Sequence, residues 1–400
     1  MSFEDSIGQA LKLMPRHREA ASRRASSLGL DDLIDEARAQ GQLDSGALDL
    51  LLMGTRYRAR ALRSLKDFLK GKPLKPREIE DLLVLIFASL LSRDKMPAPV
   101  QLNTFVEIAA KSFGPHLKGL VNAWGRQTLR DRENFERERR EQPTEWLPLA
   151  WRERWAKHPA LLDEAARRGF ERPEAGVSAF GKDLEFARRP FSEWQERRPF
   201  QAMDPGSWDL VRWIDGELQG IPTPNFLDAC AAPGGKFIAL ALLRSRHGGL
   251  KHALGTDSKF PRLTRLKENL ATWQAELPSD IQTQVLAWGE DLVPESIGSK
   301  TWDLVLADLP CSGSGTLHTR PDLLDRNPFD RLETLQKIQA SILAALGELR
   351  PRHLFVSICS VDPIEIEFVS RCLKRDPSFK SWDRAHSKAE PREGLTAWRL

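Results

Sequence analysis

Asn225-Phe226-Leu227-Asp228-Ala229-Cys230-Ala231-Ala232-Pro233-Gly234-Gly235-Lys236-Phe237-Ile238-Ala239-Leu240-Ala241-Leu242-Leu243 is the stretch that decides the fold. A short apolar strand enters a tight Gly-Gly turn, and an apolar helix leaves it, the first half of a βαβ unit. The glycines allow a ligand close to the backbone, and the helix start offers free N–H groups. The turn is not G-x-G-x-x-G. It is not a phosphate-cradling Walker loop either, which needs Gly at Cys230 and Ser or Thr at Phe237. A strand-end carboxylate, Asp228, beside a Gly-rich turn suits a ligand with positive charge and an amino-acid end. S-adenosylmethionine is such a ligand.

Working outward, residues 200–400 keep a β/α rhythm. Strands are expected at Phe226–Ala229, Ala253–Thr256, Gln284–Ala287, Leu304–Ala307 and Leu354–Ile358, with two late ones at Phe379–Ala385 and Leu395–Leu400. In such sheets ligands sit beyond the carboxyl ends of the strands. The second strand ends in Asp257, placed to accept ribose hydroxyls, with Arg262, Leu266 and Asn269 following on a helix. The third runs into Trp288-Gly289-Glu290-Asp291. The fourth ends in Asp308-Leu309-Pro310-Cys311-Ser312-Gly313-Ser314-Gly315. The fifth ends in Ser357-Ile358-Cys359-Ser360, then Val361-Asp362-Pro363-Ile364-Glu365. A lone buried cysteine is usually a small hydrophobe, and Cys372 on a helix reads that way. Cysteines at two adjacent strand ends are a different signal.

The Cys-Ala-Ala-Pro-Gly-Gly-Lys run resembles the cofactor motif of the Sun/Fmu family of RNA cytosine-5 methyltransferases. Asp308 to Gly315 resembles that family's Asp-Ala-Pro-Cys-Ser-Gly-Thr-Gly, with Leu309 for Ala. Arg320-Pro321-Asp322 and Gln336 also match, and Gly394 to Leu400 resembles the closing strand. Around Cys359 the family reads Ser/Ala-Thr-Cys-Ser and then Pro-Glu-Glu-Asn. Here Ile358 replaces the Thr, Ile364 and Ile366 replace a Glu and the Asn, and Arg352-His353 replaces a Gly-Gly. The resemblance implies an α/β Rossmann-like S-adenosylmethionine-dependent methyltransferase core preceded by an all-α NusB-like bundle.

It also implies site residues. Cys230, Ala231, Ala232, Pro233, Gly234, Gly235, Lys236, Asp257, Arg262, Asp291 and Asp308 would bind the cofactor. Asp291 matches the carboxylate near the adenine amino group, with Glu290 the adjacent alternative. Cys359 would be the nucleophile, Cys311 would help release the product, Asp308 would face both the cytosine and the methyl donor, and Lys236 would lie near that carboxylate. The chemistry explains the cysteines. Carbon 5 of cytosine is a poor nucleophile, and a thiolate adding to carbon 6 makes it an enamine carbon that can take a methyl group. Cys359 precedes a helix that Asp362 can cap and Pro363 can open, whose positive end would favour a thiolate.

Residues 1–141 read as a helical domain, with helices over Asp5–Leu13, Leu30–Ala39, Gly46–Leu69, from Pro76 through the all-apolar Leu82–Phe87, Pro99–Phe113 and Pro115–Arg130. Met96 to Val100, Glu107 to Lys111 and Lys118 to Ala123 resemble the family's NusB-like domain. Arg56, Arg58, Arg60, Arg63, Lys66, Lys70, Lys72, Lys75 and Arg77 form a basic run, either a phosphate-binding face or a solvated helix surface. Arg130 to Glu141 alternates in sign, as an exposed helix does. Residues 142–199 read as a connector or small RNA-contact region. There Arg188-Arg189-Pro190-Phe191 and Arg197-Arg198-Pro199-Phe200 interleave guanidinium groups with rings, as RNA-binding surfaces do and as core aromatics beside solvated arginines also do. The family has a longer segment after its Arg-Pro pair, here Arg172-Pro173. Residues 200–400 form the methyltransferase domain.

The 400 residues carry a net charge of +4 and are 41% hydrophobic and 29% charged, with a pI near 8.9. This permits a nucleic-acid partner without demanding one. Four cysteines without C-x-x-C spacing predict no metal site and no disulfide framework. No signal peptide and no membrane-spanning run are evident, so a cytoplasmic protein is expected. The partner implied is RNA, with small-subunit ribosomal RNA as the substrate expected from the fused helical domain. The alternative is a weakly active RNA-binding or ribosome-assembly factor, prompted by Ile358. Oligomeric state is not legible.

Overall fold

The computed structural model describes residues 2–22, 30–94, 96–170, 176–325, 327–374, 380–383 and 394–400. The Arg172-Pro173 pair lies outside them. The chain forms two compact units, one of residues 1–172 with 317–327, the other of residues 173–316 with 328–400. Residues 142–199 are thus divided between the two units.

The first unit is helical: α1 (Phe3–Ser22), α2 (Leu30–Ala39), α3 (Ser45–Phe68), α4 (Ile79–Ser92), α5 (Ala98–Phe113), α6 (Lys118–Arg130) and α7 (Arg132–Glu141), then short helices to Phe170. Asp44 caps α3, accepting the Ala47 N–H at 2.8 Å. Every residue of α4 except Glu80 is buried, as its all-round apolar sequence requires. Pro76 does not open that helix, which begins at Ile79.

The basic run splits in two. Arg56 and Arg58 are buried. Arg58 pairs with Asp81 at 2.9 Å and with Glu80, and Arg60 pairs with Glu138 at 2.7 Å. Arg63 donates to the Glu145 carbonyl. These four hold α3 to its neighbours, so they are not a phosphate face. Lys66, Lys70, Lys72, Lys75 and Arg77 are exposed.

The second unit opens with β1 (Val177–Gly181), β2 (Phe186–Arg189) and β3 (Phe200–Ala202), an antiparallel sheet ordered β2-β1-β3. In it Arg189 pairs with Glu185 at 2.6 Å and Trp194 is buried, while Arg197, Arg198 and Phe191 are exposed. The main sheet has β4 (Asn225–Asp228), β5 (His252–Asp257), β6 (Asp280–Val285), β7 (Leu304–Asp308), β8 (Leu354–Ile358), β9 (Lys380–Asp383) and β10 (Thr396–Arg399), ordered β6-β5-β4-β7-β8-β10-β9. β4 to β8 are parallel and β10 runs antiparallel to β8 and β9. The third strand lies a few residues earlier than expected. Its pairing to β5 runs through polar residues at the sheet edge, and the apolar Val285-Leu286 marks only its end.

Alternation along the central strands fills a core on each face. Phe226, Ala253, Leu304, Leu306 and Phe355 pack with the helices Pro205–Glu217, Gly235–His247 and Phe260–Thr272. Leu227, Leu254, Val305, Ala307 and Val356 pack with Leu332–Glu348 and Pro363–Leu373. Because both faces are covered, the strands read as unbroken apolar runs. β4 is flanked by β5 and β7, so chain order reverses beside it and opens a crevice at its carboxyl end.

Candidate active site

The crevice begins at the quoted stretch. Gly234 has φ +115°, and a Cβ there would lie 2.7 Å from Leu266 Cδ1. Only glycine meets both demands. Gly235 starts the helix, where a Cβ would meet nothing closer than 3.8 Å. The turn is held from outside by the helix Phe260–Thr272. Arg262 Nη2 donates to the Ala232 carbonyl at 2.9 Å, and Asn269 Nδ2 donates to that of Pro233 at 2.7 Å. Arg262 also pairs with Asp257 at 3.3 Å, and Asp257 accepts the Lys259 N–H at 3.0 Å.

A cavity of about 210 Å³ lies over the turn. It is lined by Asp228, Cys230, Ala231, Ala232, Pro233, Gly234, Gly235, Lys236 and Asp308 on one side, and by residues of Gln201–Asp204 with Ser207 on the other. The second group was not anticipated from sequence. Its one signal is Asp204-Pro205, a helix start that Asp204 caps through the Gly206 N–H at 2.7 Å. Asp257, Arg262, Asp291, Cys311 and Cys359 do not line the cavity. Asp291 closes its own turn, accepting the Ala287 N–H at 2.7 Å, and Glu290 is exposed.

Asp228 is almost fully buried and accepts the Cys230 N–H at 3.1 Å. Burial raises its carboxyl to about 8, the neighbouring Asp308 and Asp257 adding to the rise. Burial, with Asp228 next, also pushes the Cys230 thiol well up, as for a packing residue. Asp308 is held from two sides. Lys236 Nζ pairs with it at 2.9 Å and Ser357 Oγ donates to it at 2.6 Å. Ser357 is the residue directly opposite Asp308 in the β7–β8 register. No sequence signal marked it, since a serine inside a strand is ordinary.

β7 and β8 deliver the two cysteines to adjacent strand ends. Burial pushes the Cys311 thiol well up, and Glu365 and Asp308 add to it. Asp362 caps the helix after Cys359, accepting the Ile364 and Glu365 N–H groups, each at 3.2 Å. Glu365, which sequence reasoning passed over, is fully buried between the two cysteine loops.

A seven-stranded sheet with this order and a glycine-turn cavity at the carboxyl end of its central strand defines a Rossmann-like methyltransferase core. Residues 218–395 match the family described as 16S rRNA methyltransferase RsmB/F, and residues 9–124 match the NusB family. A region matching RsmB/F thus follows one matching NusB, the order that the Sun/Fmu resemblance implies. It is 27% identical over 377 residues to ribosomal RNA small subunit methyltransferase B of Pseudomonas putida, covering 86% of this chain and 84% of that one. The protein of the same name from Vibrio cholerae is 26% identical, covering 84% and 83%. The solved structure of PH0851 shares the fold, with a TM-score of 0.69 and 16% identity over 100% of this chain and 98% of that one.

S-adenosylmethionine is the cofactor of this family, and the cavity's chemistry fits it. The N–H groups at the start of the helix Gly235–His247 suit a carboxylate, and Asp228 and Asp308 suit cationic centres. The state of Asp228 makes this testable. In the ligand-free protein its carboxyl holds a proton until about pH 8. A cationic ligand beside it favours the carboxylate, so binding at pH 7 releases a proton, and affinity rises with pH up to about 8 and levels off above. Calorimetry in two buffers of different ionisation enthalpy is expected to give different heats at pH 7. Equal heats would mean that Asp228 takes no part.

Proposed function

We propose that the protein transfers a methyl group to carbon 5 of a cytosine in RNA, through a covalent cysteine adduct, acting in the cytoplasm on small-subunit ribosomal RNA. The observation that carries this is the pair of cysteines just beyond the carboxyl ends of the adjacent, parallel strands β7 and β8. A transfer to a base amine or a protein needs no thiol pair. The names of the curated relatives support the choice of RNA.

When bound, S-adenosylmethionine supplies an electrophilic methyl group. The chain's residues do the rest. Asp308, fixed by Lys236 and Ser357, faces the cytosine edge and the cavity. Cys359 attacks carbon 6, beside the positive end of the helix Pro363–Leu373. Cys311, whose thiol is raised by burial and two carboxylates, takes the proton from carbon 5 once it has given up its own to solvent. The target base must be single-stranded or flipped out. No described helix is long and apolar enough to cross a membrane.

Bisulfite sequencing of ribosomal RNA with and without the protein tests this reading, and an unchanged pattern would reject it. Ile358, where the family has Thr, motivates a second reading, an RNA-binding assembly factor of little activity. Ile358 is buried in the core cluster with Val356, Val369 and Trp398. Transfer of labelled methyl groups to total ribosomal RNA separates the two.

The exposed half of the basic run offers a further test. If Lys70, Lys72 and Lys75 contact phosphates, changing all three to Glu lowers RNA affinity and flattens its salt dependence. The loss is about 0.7–0.9 in slope per phosphate contact, or about 2–3 in total. A salt slope equal to that of the unaltered protein would make these lysines a solvated surface only.

A further inference from the structure

Glu365 is buried at 0% exposure, and its only part in the chemistry so far is to raise the Cys311 thiol. It accepts the Ser312 N–H at 3.1 Å, the Ser312 hydroxyl at 2.7 Å and the Gln339 amide at 3.1 Å. These donors are all neutral. A buried carboxylate held this way costs more than a packed apolar residue would, so its retention calls for a reason beyond stability. Its place supplies one. Ser312 follows Cys311, and Glu365 lies on the helix that follows Cys359. Gln339 also donates to the Pro310 carbonyl at 2.9 Å, so Glu365 and Gln339 grip the residues on both sides of Cys311. The Ser360 hydroxyl joins Ser312 at 3.2 Å and Ser314 at 3.0 Å, tying the same loop to the residue after Cys359.

The sequence contained a hint. Asp362-Pro363-Ile364-Glu365 has the spacing of a capping box, in which the glutamate would turn back to the N–H of residue 362. That N–H donates instead to Ser360 Oγ at 3.1 Å, which leaves the Glu365 carboxylate to face the Cys311 loop.

We propose that Glu365 is the positioning residue of the two-cysteine centre, setting Cys311 against Cys359 so that elimination can follow methyl transfer. This rests on the cytosine-5 reading. Attack by Cys359 does not need the brace, whereas departure of Cys359 needs Cys311 in place to help take the proton from carbon 5.

The test uses the full chain, labelled S-adenosylmethionine and total small-subunit ribosomal RNA. Glu365→Gln keeps the shape and one acceptor but loses the charge and the second acceptor. It is expected to lower kcat about 100-fold, as misplacing a reacting group by about 1 Å does. KM for the cofactor stays unchanged, because the cavity is built from other residues. A protein–RNA complex surviving denaturing electrophoresis should accumulate, as with Cys311→Ala run in parallel. If Cys311→Ala traps RNA and Glu365→Gln does not, the glutamate is only structural and the inference fails while the cysteine reading stands. If neither traps RNA, the cysteine reading fails and the inference with it. Should Glu365→Gln not fold, Ser312→Ala, which removes the 2.7 Å bond together with that hydroxyl's links to Ser360 and Ser314, decides by the same trapping.

Discussion

Cys359→Ala is expected to abolish methyl transfer and trap nothing, whereas Cys311→Ala accumulates an RNA adduct that withstands denaturation. The two side chains end neighbouring strands, yet in the proposed mechanism only one forms the bond to carbon 6. Without Cys359 there is no adduct, and carbon 5 stays unreactive. Without Cys311, attack and methylation proceed, but the proton at carbon 5 is not removed and the thiolate cannot depart. The proposed roles follow from the surroundings of each cysteine. Cys359 precedes a capped helix start, which favours a thiolate, whereas Cys311 faces Glu365 and Asp308, which favour a thiol. Denaturing electrophoresis of each variant with labelled RNA checks the assignment. Trapping by Cys359→Ala but not by Cys311→Ala would swap the roles. If both variants stayed active and trapped nothing, no thiol mechanism operates.

Gly315→Ala is the second large effect. A Cβ at Gly315 would lie 1.9 Å from the Gly394 carbonyl oxygen and 2.6 Å from its carbon. Both are backbone atoms, so no side chain can swing away. The Gly315 N–H donates to the Cys359 carbonyl at 3.2 Å, and its own carbonyl accepts the Gly394 N–H at 2.8 Å. The extra methyl group must push apart the loop of Cys311, the turn after Cys359 and the entry to β10. Overpacking of this kind costs about 3 kcal/mol, the upper end of the usual range. With the loop displaced, turnover is expected to fall about 100-fold. Cofactor affinity should hold, because Gly315 does not line the cavity. A melting temperature equal to that of the unaltered protein would show that the backbone yields without cost.

The fold was legible because its strands are short apolar runs ending in distinctive turns. β8 spans the residues expected, and β4, β5 and β7 differ by one residue at an end or at each. β6 was misplaced because an edge strand with one wet face carries little apolar signal. The arginines of α3 misled for another reason. A run of like charge on a helix reads as a solvated face, and the carboxylates that take these arginines inward, Asp81 and Glu138, are far away in sequence. The glycine turn and both cysteines announced themselves as motifs. Ser357 and Glu365 did not, because their importance lies in what faces them across a strand register or a loop. Asp257 was expected to accept ribose hydroxyls, and what the sequence did not show is that Arg262 and the Lys259 N–H also hold it. That arrangement depends on how one helix packs against the turn, which no local pattern encodes.

The assignment of residues 317–327 to the helical unit bears on any attempt to take the protein apart. The Trp151 indole donates to the Leu323 carbonyl at 3.3 Å, and Arg56 Nη2 donates to that of His318 at 2.6 Å. A fragment cut at residue 172 would keep both donors and lose both acceptors, at about 1–3 kcal/mol for each lost bond. The complementary fragment would retain an orphaned strip of chain directly after the Cys311 loop. Dissection by a single cut therefore yields two damaged pieces rather than two domains. Supplying 317–327 as a peptide, or splicing it to the helical fragment, is the rational way to obtain that unit alone.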